Sequence, residues 1–334
     1  MHAMSIPAWF VQQPPRLCAS KPTAATNLPV AAKCRLEYLN EGGANFVFRV
    51  LPGDGEDLPS TLQGKLLRLR KDDPHIPSAE EQLRALRETF RPMFEAKNLL
   101  GHELVSVDAG VLYGLNEYLA TVTRPPHREG DGMPKQATSG LLVTDMTPKE
   151  NEVCLQLKPK WLGQSPNAPP DARRCRTCAL RAYRASERIR TATDAQETCP
   201  LDLVNKNVED RRLAVQAITP DRPICEYLLN QAQALFQQLR MCQTKLDPYG
   251  ALTPLSPAAV GDLCKAMTLR DCSLFIKRSD KGIEARLGDL DLKQPEKLPR
   301  WKTIESILIK NGWYTNTESS DIRICERICV LSRG

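Results

Sequence analysis

The chain has 334 residues, of which 41% are hydrophobic and 26% charged, with a mean hydropathy of −0.39. This length suits two domains better than a single core, and no apolar run approaches the ~18 residues of a membrane-spanning helix, so no membrane association is expected. The formal charge of +6, from 46 basic and 40 acidic residues, points to an anionic ligand only where the basic groups cluster.

Residues 1–33 are proline-rich, contain no acidic residue, and match neither a signal peptide nor a transit peptide. A disordered tail is expected there, followed by an N-terminal domain over 34–150 and a C-terminal domain over 151–334. "CRLEYL" (34–39) and "FVFRVL" (46–51) read as strands either side of a Gly42–Gly43 turn, and "KLLRLRK" (65–71) as a third, basic strand. Ser78 with Glu81 forms a capping box opening a helix whose apolar stripe is Leu83, Leu86, Phe90 and Phe94. Strand-like pieces follow at 104–107, 111–120, 141–146 and 153–158. The second half reads as mainly helical, over 171–190, 223–242, a shorter helix from Pro257, and 299–311 ending at Gly312. Strand-like runs at 268–278 and 283–293 interrupt it. The fold class expected is α+β.

Twelve cysteines are scattered along the chain, as in a reduced intracellular protein with buried thiols. Cys175 and Cys178 in "RRCRTCALR" have no second C-x-x-C or H-x₃₋₅-H pair to complete four ligands, so no structural zinc site is expected. They share a helical face with Ala179, Ala182, Ser186 and Ile189. Arg173, Arg181, Arg184 and Arg188 would form a basic stripe on the other face, suited to phosphates.

The glycine turn is neither G-x-G-x-x-G nor a Walker loop. Set between two strands and before a basic third strand and a helix, it resembles the small lobe of protein-kinase-like enzymes. There, backbone N–H groups cover nucleotide phosphates and a strand cation, here Arg68, meets their charge. In "LQLKPKWL" Pro159 fixes the relative directions of Lys158 and Lys160, so that one can serve a nucleotide and the other an anionic substrate. Asp271 opens one strand-like run, and period-two alternation in "DLDLK" places Asp289, Asp291 and Lys293 on one face. Two separated carboxylates suit phosphoryl transfer, one for magnesium and one for the attacking hydroxyl. The H-R-D and D-F-G strings of protein kinases are absent.

"EGGANFVF", "LLRLRK", "LKPKWL", "CRTCALR", "CPLDL", "RDCSLFI" and "DLDLK", in this order, resemble the inositol-pentakisphosphate 2-kinases of the shorter fungal type, over about residues 34–315. The resemblance implies a two-lobed kinase-like fold, with a small N-terminal sheet lobe carrying a helix and a larger, mainly helical C-terminal lobe. It also implies ATP and magnesium as cofactors, and phosphorylation of the 2-hydroxyl of inositol pentakisphosphate to phytate. By the same resemblance Gly42, Gly43, Ala44 and Asn45 form the ATP phosphate loop, with Arg68, Asp145, Met146, Gln156, Lys158 and Arg184 as further ATP contacts. Asp271, Asp289 and Lys158 are the catalytic residues, and Asp289 is the magnesium ligand. Lys71, Arg124, Lys160, Lys293, Lys297 and Trp301 are the substrate contacts. Gln156 stands where the family carries glutamate. The zinc-binding insertion of the plant members has no counterpart, so no metal besides magnesium is expected. A monomer in the nucleus or cytoplasm, with no nucleic-acid partner, completes the expectation. The alternative is a non-catalytic polyphosphate- or nucleic-acid-binding protein, for which aromatics, at 5% of residues, are few.

Overall fold

The computed structural model describes residues 8–12, 32–53, 55, 57–136, 138–187, 198–316 and 329–333. The chain is mixed α and β, as expected, with every strand pair of its two sheets antiparallel. It divides into two compact units, Met1–Arg87 with Leu100–Asp145, and Glu88–Leu99 with Met146–Gly334.

The first unit is a closed barrel. Its strands are β1 (Ala8–Gln12), β2 (Ala32–Glu41), β3 (Asn45–Pro52), β4 (Lys65–Arg70), β5 (His102–Val107) and β6 (Thr138–Thr144), in the order β1-β2-β3-β4-β6-β5. Strand β1 lies within the segment expected to be a disordered tail. Its apolar "WFV" run, between prolines, pairs with both β2 and β5 and closes the barrel. Residues 1–7 and 13–31 of that segment lie outside the described residues. Alternate residues Phe46, Phe48 and Val50 of β3, and Leu67 and Leu69 of β4, point into the core, with Val105, Leu112 and Leu115 among the side chains they meet. Gly140 of β6 is required by this packing, because a Cβ there would stand 2.7 Å from Leu69 Cδ2.

Two elements differ from the pattern expected. Residues 111–120 are not a strand but lie mostly within helix α2 (Ala109–Leu119), which buries Val111, Leu112, Leu115, Tyr118 and Leu119. Steps of three and four outweigh the β-like composition of "VLY" once Asp108 starts the turn. Helix α1 (Ala79–Ala85) begins at the expected Ser78–Glu81 capping box, then passes into a π turn at Leu86–Phe90 and a 3₁₀ turn at Arg91–Met93. Pro92 cannot continue an α-helix, and from Glu88 the chain belongs to the second unit.

The second unit holds a three-stranded sheet, β7 (Val153–Leu157), β8 (Ser273–Ser279) and β9 (Gly282–Gly288), in that order. Its helices are α3 (Arg176–Ser186), α4 (Val208–Ile218), α5 (Arg222–Leu229), α6 (Ala232–Leu246), α7 (Pro257–Leu269) and α8 (Leu298–Lys310). The expected helix over 223–242 is two, broken at Asn230, whose non-helical backbone caps α5. Helix α7 starts as expected, with Ser256 accepting from the Ala259 N–H. Helix α8 ends before Gly312, whose φ of 68° is open to glycine at little cost. No helix among the described residues is long and apolar enough to cross a membrane.

Candidate active site

In the second unit, register brings three chain segments to one end of the sheet. Leu157 pairs with Leu274, and Leu274 with Leu287, so Lys158, Ser273 and Gly288 follow side by side. Asp271 precedes β8 and Asp289 follows β9, which sets both carboxylates beside Lys158. The Lys158 ammonium donates to the Asp271 carbonyl at 2.8 Å. It stands 3.9 Å from Asp271 Oδ1 and 3.7 Å from Asp289 Oδ2, so one cation bridges the two acids.

Asp271 is held by two further lysines, Lys293 at 2.6 Å and Lys160 at 3.6 Å. Burial works to raise its pKa, but Lys293, then Lys158 and Lys160, outweigh burial and hold it below the ordinary aspartate value. Lys160 is shifted down, first by burial and then by Lys158, Arg184 and Arg181, against the pull of Asp271. Arg184 is thereby within electrostatic reach of this centre, and so is Lys297, which feels Lys293 and Asp271.

Among the described residues, Asn151, Lys160 and Asp289 alone are non-glycine residues with left-handed backbone, with φ of 65°, 57° and 55°. Two of the three are site residues. Such conformations are disfavoured for side chains and persist where surrounding contacts impose them. For Lys160 those contacts come from buried Gln243, whose amide donates to the Lys160 carbonyl at 2.9 Å and accepts from the Leu162 N–H at 3.0 Å. Trp161, next along, lies between two guanidinium groups, Arg270 at 3.5 Å and Arg176 at 5.0 Å from its ring centroid. At Asp289 the left-handed turn ends β9, so the strand alternation expected over 289–293 does not form. Asp289 reaches the site through this turn, and Lys293 through a backbone N–H bond to Thr268 Oγ1 at 2.9 Å.

Ser273, Gln243 and Thr268 were not singled out from the sequence. Ser273 donates to Asp289 Oδ2 at 2.5 Å and accepts from Gln156 Nε2 at 3.0 Å. Gln156 thus orients Asp289 through a hydroxyl. The only local sign of Ser273 was its place two residues after Asp271. Trp301 lines a small pocket with Trp161, Arg176 and Glu305.

Not all expected cations lie open. Arg181 is buried and donates to the Thr198 carbonyl at 2.7 Å, and Arg176 is buried against Glu305 at 3.3 Å. Arg173 precedes helix α3, and Arg188 lies outside the described residues. Of the basic stripe expected along 171–190, Arg181 is thus an internal tie, while Arg173 is exposed and Arg184 half-buried.

In the first unit the Gly42–Ala44 loop is closed by a Gly42 N–H bond to the Asn45 carbonyl at 2.8 Å, and Ala44 accepts from the Lys71 N–H at 2.9 Å. Neither Gly42 nor Gly43 has left-handed backbone, and a Cβ on Gly43 would meet nothing within 4 Å. Nothing inside the chain, in conformation or packing, requires glycine at position 43. With its amide turned to face β4, Asn45 accepts from Arg68 Nη2 at 2.6 Å and Nε at 3.3 Å. Asp145 donates its N–H to the Gly64 carbonyl at 2.9 Å, while Met146 is buried and belongs to the second unit.

Lys71 and Arg124, expected as substrate contacts, are engaged elsewhere. Both are buried on Glu41, Lys71 at 2.5 Å and Arg124 through Oε1 at 2.7 Å and Oε2 at 3.2 Å, and both lie over the Phe46 ring. The physical reason is Glu41, the residue before the glycines, whose carboxylate is fully enclosed and needs both cations. Burial alone would raise the Glu41 pKa, but the bonds from Arg124 and Lys71 overcome it and hold it at about 2. A carboxylate lowered in the fold adds stability above its ordinary pKa and loses it as pH falls toward the folded value, here from about 4.5 to about 2. Glu41→Gln is expected to lower stability at pH 7 by about 3 kcal/mol. Urea unfolding of both proteins should show that gap closing as pH is lowered through this window; a gap independent of pH would reject the assignment.

A sequence profile of the family described as inositol-pentakisphosphate 2-kinase matches residues 38–306. The curated protein "Inositol-pentakisphosphate 2-kinase" of Yarrowia lipolytica (strain CLIB 122 / E 150) is 30% identical over 302 residues, covering 83% of this chain and 91% of that one. The lysine-clamped pair of aspartates thus lies inside the region that these matches span. The chain belongs to the inositol-pentakisphosphate 2-kinase family, a family of transferases.

Proposed function

We propose that the protein transfers the γ-phosphoryl group of ATP to the 2-hydroxyl of inositol 1,3,4,5,6-pentakisphosphate, giving inositol hexakisphosphate. The observation that carries this is Asp271 set among three lysines, beside a second carboxylate, Asp289, that one of them also contacts. A ring bearing five phosphates must be met by several cations in fixed directions. Lys158, Lys160 and Lys293 supply these from two separate segments.

Each residue then has a role. Asp271 accepts the hydrogen bond of the attacking hydroxyl and takes its proton as the new oxygen–phosphorus bond forms, while the bonding pair of the old one leaves with ADP. A weakly basic aspartate is adequate, because phosphoryl transfer proceeds through a loose transition state in which little proton transfer is needed early. Lys158 meets charge on the transferring group, and Lys160 and Lys293 hold substrate phosphates. Asp289 offers a half-exposed carboxylate of hard oxygens, the donor type that magnesium takes alongside nucleotide phosphates. Bound there, the ion would neutralise phosphate charge. In the first unit the Gly42–Asn45 loop supplies N–H groups and an open approach for phosphates, with Arg68 behind it. The division into two compact units is in keeping with a kinase-like pair of lobes, and a monomer in the nucleus or cytoplasm completes the proposal. The described cysteines form no disulfide with one another, which suits that setting.

The binding-only alternative is weakened at Arg181, which is buried and donates to the Thr198 carbonyl. Incubation with ATP, magnesium and inositol pentakisphosphate should give a product heavier by one phosphate, with the new ester at the 2-position by phosphorus NMR. Absence of that product, with the substrate bound, would establish the alternative instead.

Lys160→Ala should raise KM for the inositol phosphate about tenfold to a hundredfold, as expected for a charge-assisted bond of roughly 1.5–3 kcal/mol. The KM for ATP should change little. Equal shifts in both would assign Lys160 to the nucleotide or to stability.

A further inference from the structure

Two buried side chains outside the proposed machinery hold the main chain of the substrate lysines. Gln243 of α6 is 2% exposed. Its amide donates to the Lys160 carbonyl at 2.9 Å and to the Leu269 carbonyl at 3.2 Å, and accepts from the Leu162 N–H at 3.0 Å. Thr268, fully buried in the last turn of α7, donates to the Cys264 carbonyl and accepts from the Lys293 N–H, both at 2.9 Å. Lys160 and Lys293 are therefore tied to adjacent residues, Leu269 and Thr268, and Asp271 follows at once. A third link joins their neighbours: the Arg270 guanidinium, paired with Asp247 at 2.5 Å, lies 3.5 Å from the Trp161 ring centroid.

We propose that Gln243 and Thr268 are positioning residues of the phosphoryl transfer, setting the spacing of Lys160 and Lys293 around Asp271 from one anchor, the end of α7. This rests on the reaction proposed above and names what holds its substrate lysines in place. Lys293 pairs with Asp271 Oδ2 at 2.6 Å and Lys160 with Oδ1 at 3.6 Å. Substrate phosphates compete for those same ammonium groups, and lysines that converge on one acid also repel one another. Ion pairs alone would therefore let the lysines drift as substrate enters. Bonds made through the main chain stand outside that competition. Lys160 keeps a φ of 57°, a conformation that persists only where surrounding contacts impose it, and Gln243 supplies one of them at its carbonyl.

Buried polar side chains need partners in any fold. What marks these two is that their partners are the two substrate lysines' own main-chain groups, and that both ties meet at residues 268 and 269. A displacement of about 1 Å in a substrate-holding group can cost about a hundredfold in rate. The two ties can be cut without reshaping the core. Valine has the shape of threonine without its hydroxyl, and the Cys264 carbonyl keeps the main-chain bond of the helix. Methionine at position 243 keeps the unbranched shape of glutamine and removes all three bonds.

The test is steady-state kinetics of the full chain, with calorimetric binding of inositol pentakisphosphate as a readout that needs no turnover. Thr268→Val should raise KM and Kd for inositol pentakisphosphate about tenfold and lower kcat about tenfold to a hundredfold, with KM for ATP unchanged. Thr268→Ser, which restores the hydroxyl, should restore both constants. In a Lys293→Ala background Thr268→Val should weaken substrate binding no further, because the side chain it positions is gone. Gln243→Met should behave likewise with Lys160→Ala, and it decides the matter if Thr268→Val does not fold. A lower melting temperature with unmoved kinetic constants, equal shifts in both KM values, failed rescue by serine, or full additivity with the lysine variant each overturns the proposal. So does failure of both variants to fold, which would make the two side chains supports of the core. Failure of the underlying reaction looks different: the wild type itself would then neither turn over nor bind inositol pentakisphosphate, and both conclusions would fall together.

Discussion

Asp289→Asn is expected to lower kcat by roughly a thousandfold or more while leaving inositol pentakisphosphate binding intact or tighter. The substitution isolates charge from conformation. Asp289 has a φ of 55°, a region that asparagine tolerates better than most residues, so the turn after β9 should survive. The Ser273 hydroxyl, 2.5 Å from Oδ2, can still donate to an amide oxygen. What disappears is one negative charge, 3.7 Å from the Lys158 ammonium and available to magnesium. The metal is then held more weakly, so the magnesium concentration for half-maximal rate should rise and manganese should recover part of the loss. Calorimetry with inositol pentakisphosphate should show no weakening, since removing an anion near a polyanion's site cannot repel it. A variant keeping more than about a tenth of the wild-type kcat would rule out Asp289 as the main metal ligand. Asp291 would then be the candidate.

The strands of the first unit were legible because their physics is local. Phe46, Phe48 and Val50 alternate with exposed positions, and Ser78 and Glu81 form a cap within one turn. The lysines flanking Pro159 and the two aspartates stood out by residue type and spacing. What escaped were facts decided by distant partners. Period two in "DLDLK" predicted a strand, but Asp289 turns left-handed because Ser273 and Lys158, far apart in sequence, hold its carboxylate. Lys71 and Arg124 read as free cations because nothing local reveals that Glu41 is enclosed between them. The clustering of four cysteines escaped for the same reason. A C-x-x-C was visible, whereas Cys199 and Cys329 are single residues 130 positions apart that only the fold can pair. The strand at Ala8–Gln12 was masked by its prolines, which describe its flanks and not the five residues between.

Asp271→Asn separates the second carboxylate's role from the first. Asp271 is the common partner of Lys293 at 2.6 Å, Lys160 at 3.6 Å and Lys158 at 3.9 Å, so it offsets three converging ammonium charges. Neutralising it leaves those charges unopposed, which should raise affinity for the phosphates and lower KM for inositol pentakisphosphate. The hydroxyl loses its acceptor and proton sink, so kcat should still fall by about a hundredfold to ten-thousandfold, the usual range for a positioned acid–base group. The pH dependence gives the second signature. The lysines hold Asp271 below the ordinary aspartate value, so in the wild type it stays ionised into acid and kcat/KM should fall only below the range in which an ordinary aspartate titrates. Lys158→Ala removes one of those cations, so the acid limb should move to higher pH; in Asp271→Asn the limb should vanish and the residual rate stay flat. Manganese, which helps Asp289→Asn, should not help here, because no metal ligand has been lost. An Asp271→Asn enzyme with a wild-type kcat, or one whose acid limb is unchanged, would remove Asp271 from the reaction. Its place among the lysines would then be only that of a counter-ion holding Lys160 and Lys293 ready for phosphate.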